Sequence, residues 1–235
     1  MTGVLEGRVA LVTGASRGIG AAAAELMARE GAHIIAVART VGGLEELDDR
    51  IQAAGGSTTL VPLDLTDYAG IDRLGGAVAE RWGKLDILLG NAAILGSLSP
   101  MGHLRPAEWE EVFAINVTAN FRLIRSFDPL LKASDAGRAI FMTSGVAAHP
   151  TAYWGAYAAS KAALENIALT YAAELGQTNV KVNVLNPGAI RTGMRAKAFP
   201  GEDPETLRPP EAIAEDILAL AIPGCTLNGE VVQTQ

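Results

Sequence analysis

Tyr157 and Lys161 stand four residues apart inside Trp154–Leu175, a segment rich in Ala, Leu and Glu that reads as helix. That spacing puts both side chains on one face, a turn apart. A phenol holds its proton up to ~10 and is a poor acid or base at neutral pH. A neighbouring ammonium favours the phenolate and moves the group towards usefulness. The expectation is a phenol of lowered pKa, although the pair alone also fits a packed aromatic beside a solvated lysine. Tyr153 is the rival acid, but it lies eight residues from Lys161 and cannot neighbour it on the helix. Ser144 adds a hydroxyl. It follows the β-prone run Arg138–Thr143 and precedes Gly145, which makes it a strand-end residue at a turn. In an open parallel sheet the carboxyl ends of the strands form the rim where ligands bind.

A second chemistry lies near the start. Thr13-Gly14-Ala15-Ser16-Arg17-Gly18-Ile19-Gly20 follows the apolar run Val9–Val12 and leads into a helical stretch. Strand, glycine turn and helix N-terminus together suit a nucleotide diphosphate, because the backbone approaches closely and the first helical N–H groups point at the anion. The spacing G-x-x-x-G-x-G is one residue longer in its first gap than G-x-G-x-x-G, and a plain surface turn gives the same letters.

Taken in order, these residues resemble the short-chain dehydrogenase/reductase family. Its members are single-domain Rossmann enzymes with a T-G-x-x-x-G-x-G turn, a Y-x-x-x-K pair and a Ser about a dozen residues upstream; here 157 − 144 = 13. The likeness runs from Gly7 to about Thr192. It implies catalytic roles for Asn116, Ser144, Tyr157 and Lys161, with Asn116 holding a relay water. For the cofactor it implies the turn residues Gly14, Ser16, Arg17, Gly18, Ile19 and Gly20, and the adenine pair Asp64-Leu65. It adds Asn91-Ala92-Ala93, together with Pro187, Gly188, Ile190 and Thr192 beside the carboxamide, and Tyr157 and Lys161 themselves. The implied activity is hydride transfer between a nicotinamide and a small carbonyl or alcohol substrate. Two departures stand out. Gly90-Asn91-Ala92-Ala93 replaces the family's N-N-A-G, which bears on sheet anchoring there. The chain also stops a few residues beyond Val231-Val232, where many relatives carry a longer tail.

The end of the second strand selects between cofactors. NAD enzymes place Asp or Glu there for the ribose hydroxyls; this chain has Ala38, followed by Arg39, with Arg17 in the glycine turn. Two guanidiniums suit a 2′-phosphate, so NADP(H) is expected over NAD(H), which remains possible. The segment Ala189–Pro209 resembles the family's substrate lid, and reads as long and irregular. Met194, Phe199, Leu95, Leu98, Tyr153 and Trp154 are candidates to line an apolar pocket. Two rival classes share parts of this pattern. A cofactor-sensing Rossmann protein would normally lack the Tyr or the Lys. A nicotinamide-dependent epimerase or dehydratase would normally show T-G-x-x-G-x-x-G and a large C-terminal substrate domain.

The elements that must position these groups alternate along the chain. Strands are expected at Arg8–Thr13, His33–Ala38, Thr58–Pro62, Asp86–Leu89, Ala139–Thr143, Lys181–Leu185 and Glu230–Thr234. Helices lie between, one of them running from Pro106 to about Ser126. This is an α/β pattern; the resemblance implies a doubly wound parallel sheet of seven strands in the order 3-2-1-4-5-6-7, a Rossmann fold in one NAD(P)-binding domain. The 235 residues suit one such domain. A net charge of −7 argues against nucleic acid or an anionic membrane as partner. No apolar run approaches the ~20 residues of a membrane span, the start lacks a basic n-region and an apolar h-region, and Cys225 is single, so a cytoplasmic protein without a disulfide is expected. No metal site is expected. The low charge of Trp154–Leu175, with the family's usual pairing through this helix, implies a homodimer or homotetramer.

Overall fold

Seven apolar runs become the strands β1 Val9–Thr13, β2 His33–Ala38, β3 Ser57–Pro62, β4 Ile87–Gly90, β5 Arg138–Met142, β6 Lys181–Asn186 and β7 Val231–Gln233. They form one sheet, all parallel, in the order β3-β2-β1-β4-β5-β6-β7. The structure is a computed structural model and describes residues 3–234. The helices are α1 Gly18–Arg29, α2 Val41–Ala53, α3 Tyr68–Trp82, α4 Pro106–Phe113, α5 Ala119–Ala133, α6 Gly155–Glu174, α7 Gly193–Ala198 and α8 Pro210–Ala221.

Both faces of the sheet are covered, so the strands read as continuous apolar runs rather than as alternating ones. The period of two still sorts side chains to opposite layers. Ala10, Val12, Ile34 and Ala36 meet Met27, Leu44 and Ile217 on one face; Val9, Leu11, Ile35 and Val37 meet Ile71, Leu123 and Phe127 on the other. Asp86 anchors the amino edge of the sheet. Its fully buried carboxylate accepts from Val9 N at 2.9 Å, Ser134 Oγ at 2.6 Å, and both Arg8 and Lys84 at 3.0 Å. Those donors hold it below the ordinary carboxylate range against the opposing pull of burial.

Two elements differ from the sequence expectation. The helix from Pro106 does not end near Ser126 but continues, through a π-helical turn at Ala114–Thr118, to Ala133. Phe127, Leu130 and Leu131 are buried, and their packing outweighs the hydrogen bond that Pro129 removes from the last turns. The Ala189–Pro209 segment is not wholly irregular. It contains α7, capped by Thr192 Oγ1 accepting from Arg195 N, and its ends are tied by a bridge between Ile190 and Arg208.

Candidate active site

The carboxyl ends of β1 and β4 are joined by Thr13. Its hydroxyl donates to Leu89 O at 3.2 Å and accepts from Asn91 N at 3.0 Å and Ala92 N at 3.1 Å. Asn91 Nδ2 returns a bond to Thr13 O at 2.9 Å. The retained Asn of the altered turn thus fixes the rim from which α1 departs. Arg17, at the N-cap of α1, supplies no side-chain acceptor, so the first-turn N–H groups of that helix stay free to meet an anion. Gly20 sits behind the turn. A Cβ there would stand 2.4 Å from Gly14 O, so this glycine lets the helix pack against its own turn.

The rim opens into a cleft of about 940 Å³. Of the site residues expected from sequence, all line it except Gly20 and Asn116. It runs from Arg17, Ala38 and Arg39 at one end, past Asp64 and Leu65, to Ser144, Tyr157 and Lys161 at the other, with Pro187, Gly188, Ile190 and Thr192 on the far wall. Its donor set fits a nicotinamide dinucleotide: an uncapped helix start in the middle, no carboxylate at Ala38, and exposed guanidiniums on Arg17 and Arg39. Arg39 Nη1 lies 3.7 Å from Asp64 Oδ2, both partly in solvent. The Asp64 carboxyl is held below its ordinary value chiefly by Thr66, whose N and Oγ1 donate to it at 2.9 and 2.8 Å.

Tyr157 and Lys161 are both buried, one turn apart on α6. Lys161 Nζ donates to Met142 O at 2.7 Å and lies 5.7 Å from the Tyr157 ring centroid. The expectation of a lowered phenol is corrected here. Burial pushes Tyr157 up to about 12, and a hydroxyl contact from Ser144 only partly opposes this. Burial also brings Lys161 down to about 8, against the pull of Glu165. The ammonium is turned to the β5 carbonyl, and burial is the main influence on the phenol.

Asn116 is fully buried in the π turn. Its Oδ1 accepts from Ile94 N and its Nδ2 donates to Ile94 O, both at 2.9 Å, and Nδ2 also donates to Ser160 Oγ at 3.0 Å. The side chain therefore pins the Ala93–Leu95 strand-end loop to α6. Asn120 Nδ2 donates to the Asn116 carbonyl at 2.9 Å. That same Asn120 packs against Gly90, where a Cβ would come within 2.5 Å of both Asn120 Oδ1 and Phe141 Cδ1. Gly90 keeps its pairing with Phe141, so the altered turn leaves the sheet intact.

Among the proposed pocket residues, Leu95, Trp154 and Met194 line the cleft, whereas Leu98, Tyr153 and Phe199 do not. Phe199 instead packs on Trp154, ring centroids 5.8 Å apart, and Trp154 meets Tyr157 edge-on at 5.9 Å. Arg195 lies over Phe199 at 3.9 Å and is forked to Glu202 by two bonds of 2.6 Å. Tyr153 is 59 % exposed with φ 73, outside the cleft, which removes it as the rival acid. Sequence reasoning missed Glu108 and Glu111, which line the substrate end from α4, and Glu165 behind Thr143. The signal for Glu165 was its place four residues after Lys161, the spacing already used for Tyr157.

A family model for short chain dehydrogenase matches residues 8–203. The chain belongs to the short chain dehydrogenase family. It is 41% identical over 213 residues to the uncharacterised oxidoreductase YciK of Escherichia coli, covering 89% of this chain and 84% of that one. It is 33% identical over 204 residues to D-threitol dehydrogenase of Mycolicibacterium smegmatis, covering 87% and 78%. A short chain dehydrogenase from Shigella flexneri, solved in complex with NADP, superposes with a TM-score of 0.95 at 38% identity over 99% of each chain. Like its relatives, the protein is a nicotinamide-dependent oxidoreductase of this family.

Proposed function

We propose that this protein is an NADP(H)-dependent reductase and dehydrogenase of a small carbonyl–alcohol pair, working through Tyr157, Lys161 and Ser144. The observation that carries the reading is the meeting of Tyr157, Ser144 and Lys161 at one end of a cleft whose other end offers Arg17 and Arg39, with Ala38 rather than a carboxylate at the end of β2. When bound, the dinucleotide supplies or accepts the hydride. Arg17 and Arg39 would hold its 2′-phosphate through charge-assisted bonds, and the uncapped start of α1 would hold its diphosphate. Pro187, Gly188, Ile190 and Thr192, which line the cleft, would hold its carboxamide. The Tyr157 hydroxyl, protonated across the neutral range, donates to the substrate oxygen and transfers its proton as that oxygen gains charge. The Ser144 hydroxyl donates to the same oxygen and fixes its direction. Lys161, cationic near neutrality, stabilises the phenolate left behind.

Asn116 supports this set by anchoring the Ile94 loop to α6, because its side-chain amide is engaged by Ile94 and Ser160 rather than offered to a relay water. Residues 189–209 act as the substrate lid on one NAD(P)-binding domain, with α7 as its rigid part. Two copies of the chain are proposed to pair through α6 in a homodimer or homotetramer, supported by the uncharged, partly exposed Ala159, Ala163 and Ile167 on that helix. Retention of both Tyr157 and Lys161 in the cleft disfavours a cofactor sensor. The experiment is a screen of ketones, aldehydes and quinones for NADPH oxidation, beside fluorescence titration of NADPH and NADH. NADPH consumption equal to alcohol formed, with at least about tenfold tighter NADPH, supports the reading; product without absorbance change, or equal affinities, contradicts it.

A further inference from the structure

We propose that Glu165 is a positioning residue of the active site: by accepting the Thr143 hydroxyl it clamps the end of β5 that carries Ser144 against the helix that carries Tyr157 and Lys161. Thr143 Oγ1 donates to Glu165 Oε1 at 2.6 Å. One turn earlier on the same helix, Lys161 Nζ donates to Met142 O at 2.7 Å. Two consecutive residues of the strand end, Met142 and Thr143, are thus held by two side chains four apart on α6. Ser144 is the next residue, and no side-chain hydrogen bond to Glu165 or Lys161 holds it directly. Its aim at Tyr157 is set by the clamp below it. Thr143 is 3 % exposed, so its hydroxyl has no ready exchange with solvent, and a bond from it to a carboxylate is of the stronger, charge-assisted kind.

Glu165 is half-buried and faces a second cavity of about 510 Å³ behind the cleft, which Ser144 also borders. Around it stand Lys161 on α6, His149 on the loop after β5, Asn186 on β6 and Gln233 on β7, so Lys161 and His149 are the titratable neighbours. The carboxylate favours the ammonium of Lys161 and opposes the loss that burial imposes on it. A second effect follows: the charge of Glu165 widens the pH range over which Lys161 is cationic.

This inference rests on the oxidoreductase reading, and its test separates the two. Glu165→Ala, Thr143→Val and their double variant are compared with Glu165→Gln, which keeps an acceptor and loses the charge. Urea unfolding of the protein alone requires no turnover. The two single changes each weaken folding, and the double is expected about tenfold less weakened in equilibrium constant than their product. In turnover, both single variants lose about tenfold in kcat with NADPH KM within about twofold, and the double is no worse than either. Glu165→Gln restores kcat near neutrality but moves the alkaline limb of its pH profile down by about half a unit or more. Strictly multiplicative losses in unfolding or kcat, wild-type kcat in Glu165→Ala, or an unmoved limb in Glu165→Gln would each overturn the proposal. Should Glu165→Ala not fold, the Gln limb and the Thr143→Val kcat decide. Coupling in unfolding without any turnover by the wild type supports the clamp while defeating the reductase reading.

Discussion

Replacing Lys161 by methionine should make stability respond differently to pH. Lys161 is 2 % exposed, and burial holds its ammonium at about 8 against an ordinary 10.5. Between those limits the unfolded chain binds more protons than the folded one, so this group raises stability as pH climbs and penalises the fold below about 8. The gap between 10.5 and about 8 corresponds to about 3 kcal/mol below the window, falling to about 1 kcal/mol at about pH 10. Methionine has similar length and no titration. It also leaves the Met142 carbonyl without its 2.7 Å partner, a cost of about 1–3 kcal/mol that does not vary with pH. The difference in unfolding free energy, variant minus wild type, should therefore fall by about 2–3 kcal/mol between pH 7 and pH 10. Urea denaturation followed by circular dichroism at the two pH values measures it. Parallel behaviour of the two proteins would refute burial as the cause of the shift.

Ala38→Asp places a carboxylate at the end of β2, where it repels a 2′-phosphate and meets ribose hydroxyls; the NADPH-over-NADH preference in fluorescence titration should drop by at least about tenfold, ~1.4 kcal/mol. Gly90→Ala forces a methyl within 2.5 Å of Asn120 Oδ1 and Phe141, and should lower stability by about 1–3 kcal/mol in urea melts, with Asn120→Ala restoring part of the loss. Asn116→Ala frees Ile94 N, Ile94 O and Ser160 from their partner, so its main deficit should appear in thermal melts, with turnover reduced less than by loss of Tyr157.

Nearly every element was legible because the chain alternates apolar runs with helical patterns and glycine punctuates the rim, whereas the sheet order came from the family resemblance. Tyr157, Lys161 and Ser144 were legible because each sits at a register set by local geometry: two on one helix face, one at a strand end. The phenol's charge state was not. It depends on how deeply α6 is buried and on Lys161 reaching Met142 O, neither of which spacing encodes. The continuation of α5 past Pro129 was hidden for a similar reason, since tertiary burial of Leu130 and Leu131 overrides a local helix breaker. Asn116 reads in sequence as a polar helix residue near the site; only the π turn shows its side chain directed to the Ile94 backbone. Gly90 and Asn120 are thirty residues apart, and their mutual fit requires the fold itself.

Deleting one oxygen tests the central claim. Tyr157→Phe keeps the ring against Trp154 and removes only the hydroxyl that delivers the proton. The variant should bind NADPH within about twofold of the wild type and reduce the best carbonyl substrate at least about a hundredfold more slowly. Unchanged turnover with unchanged NADPH binding would show that another group is the acid and contradict the account.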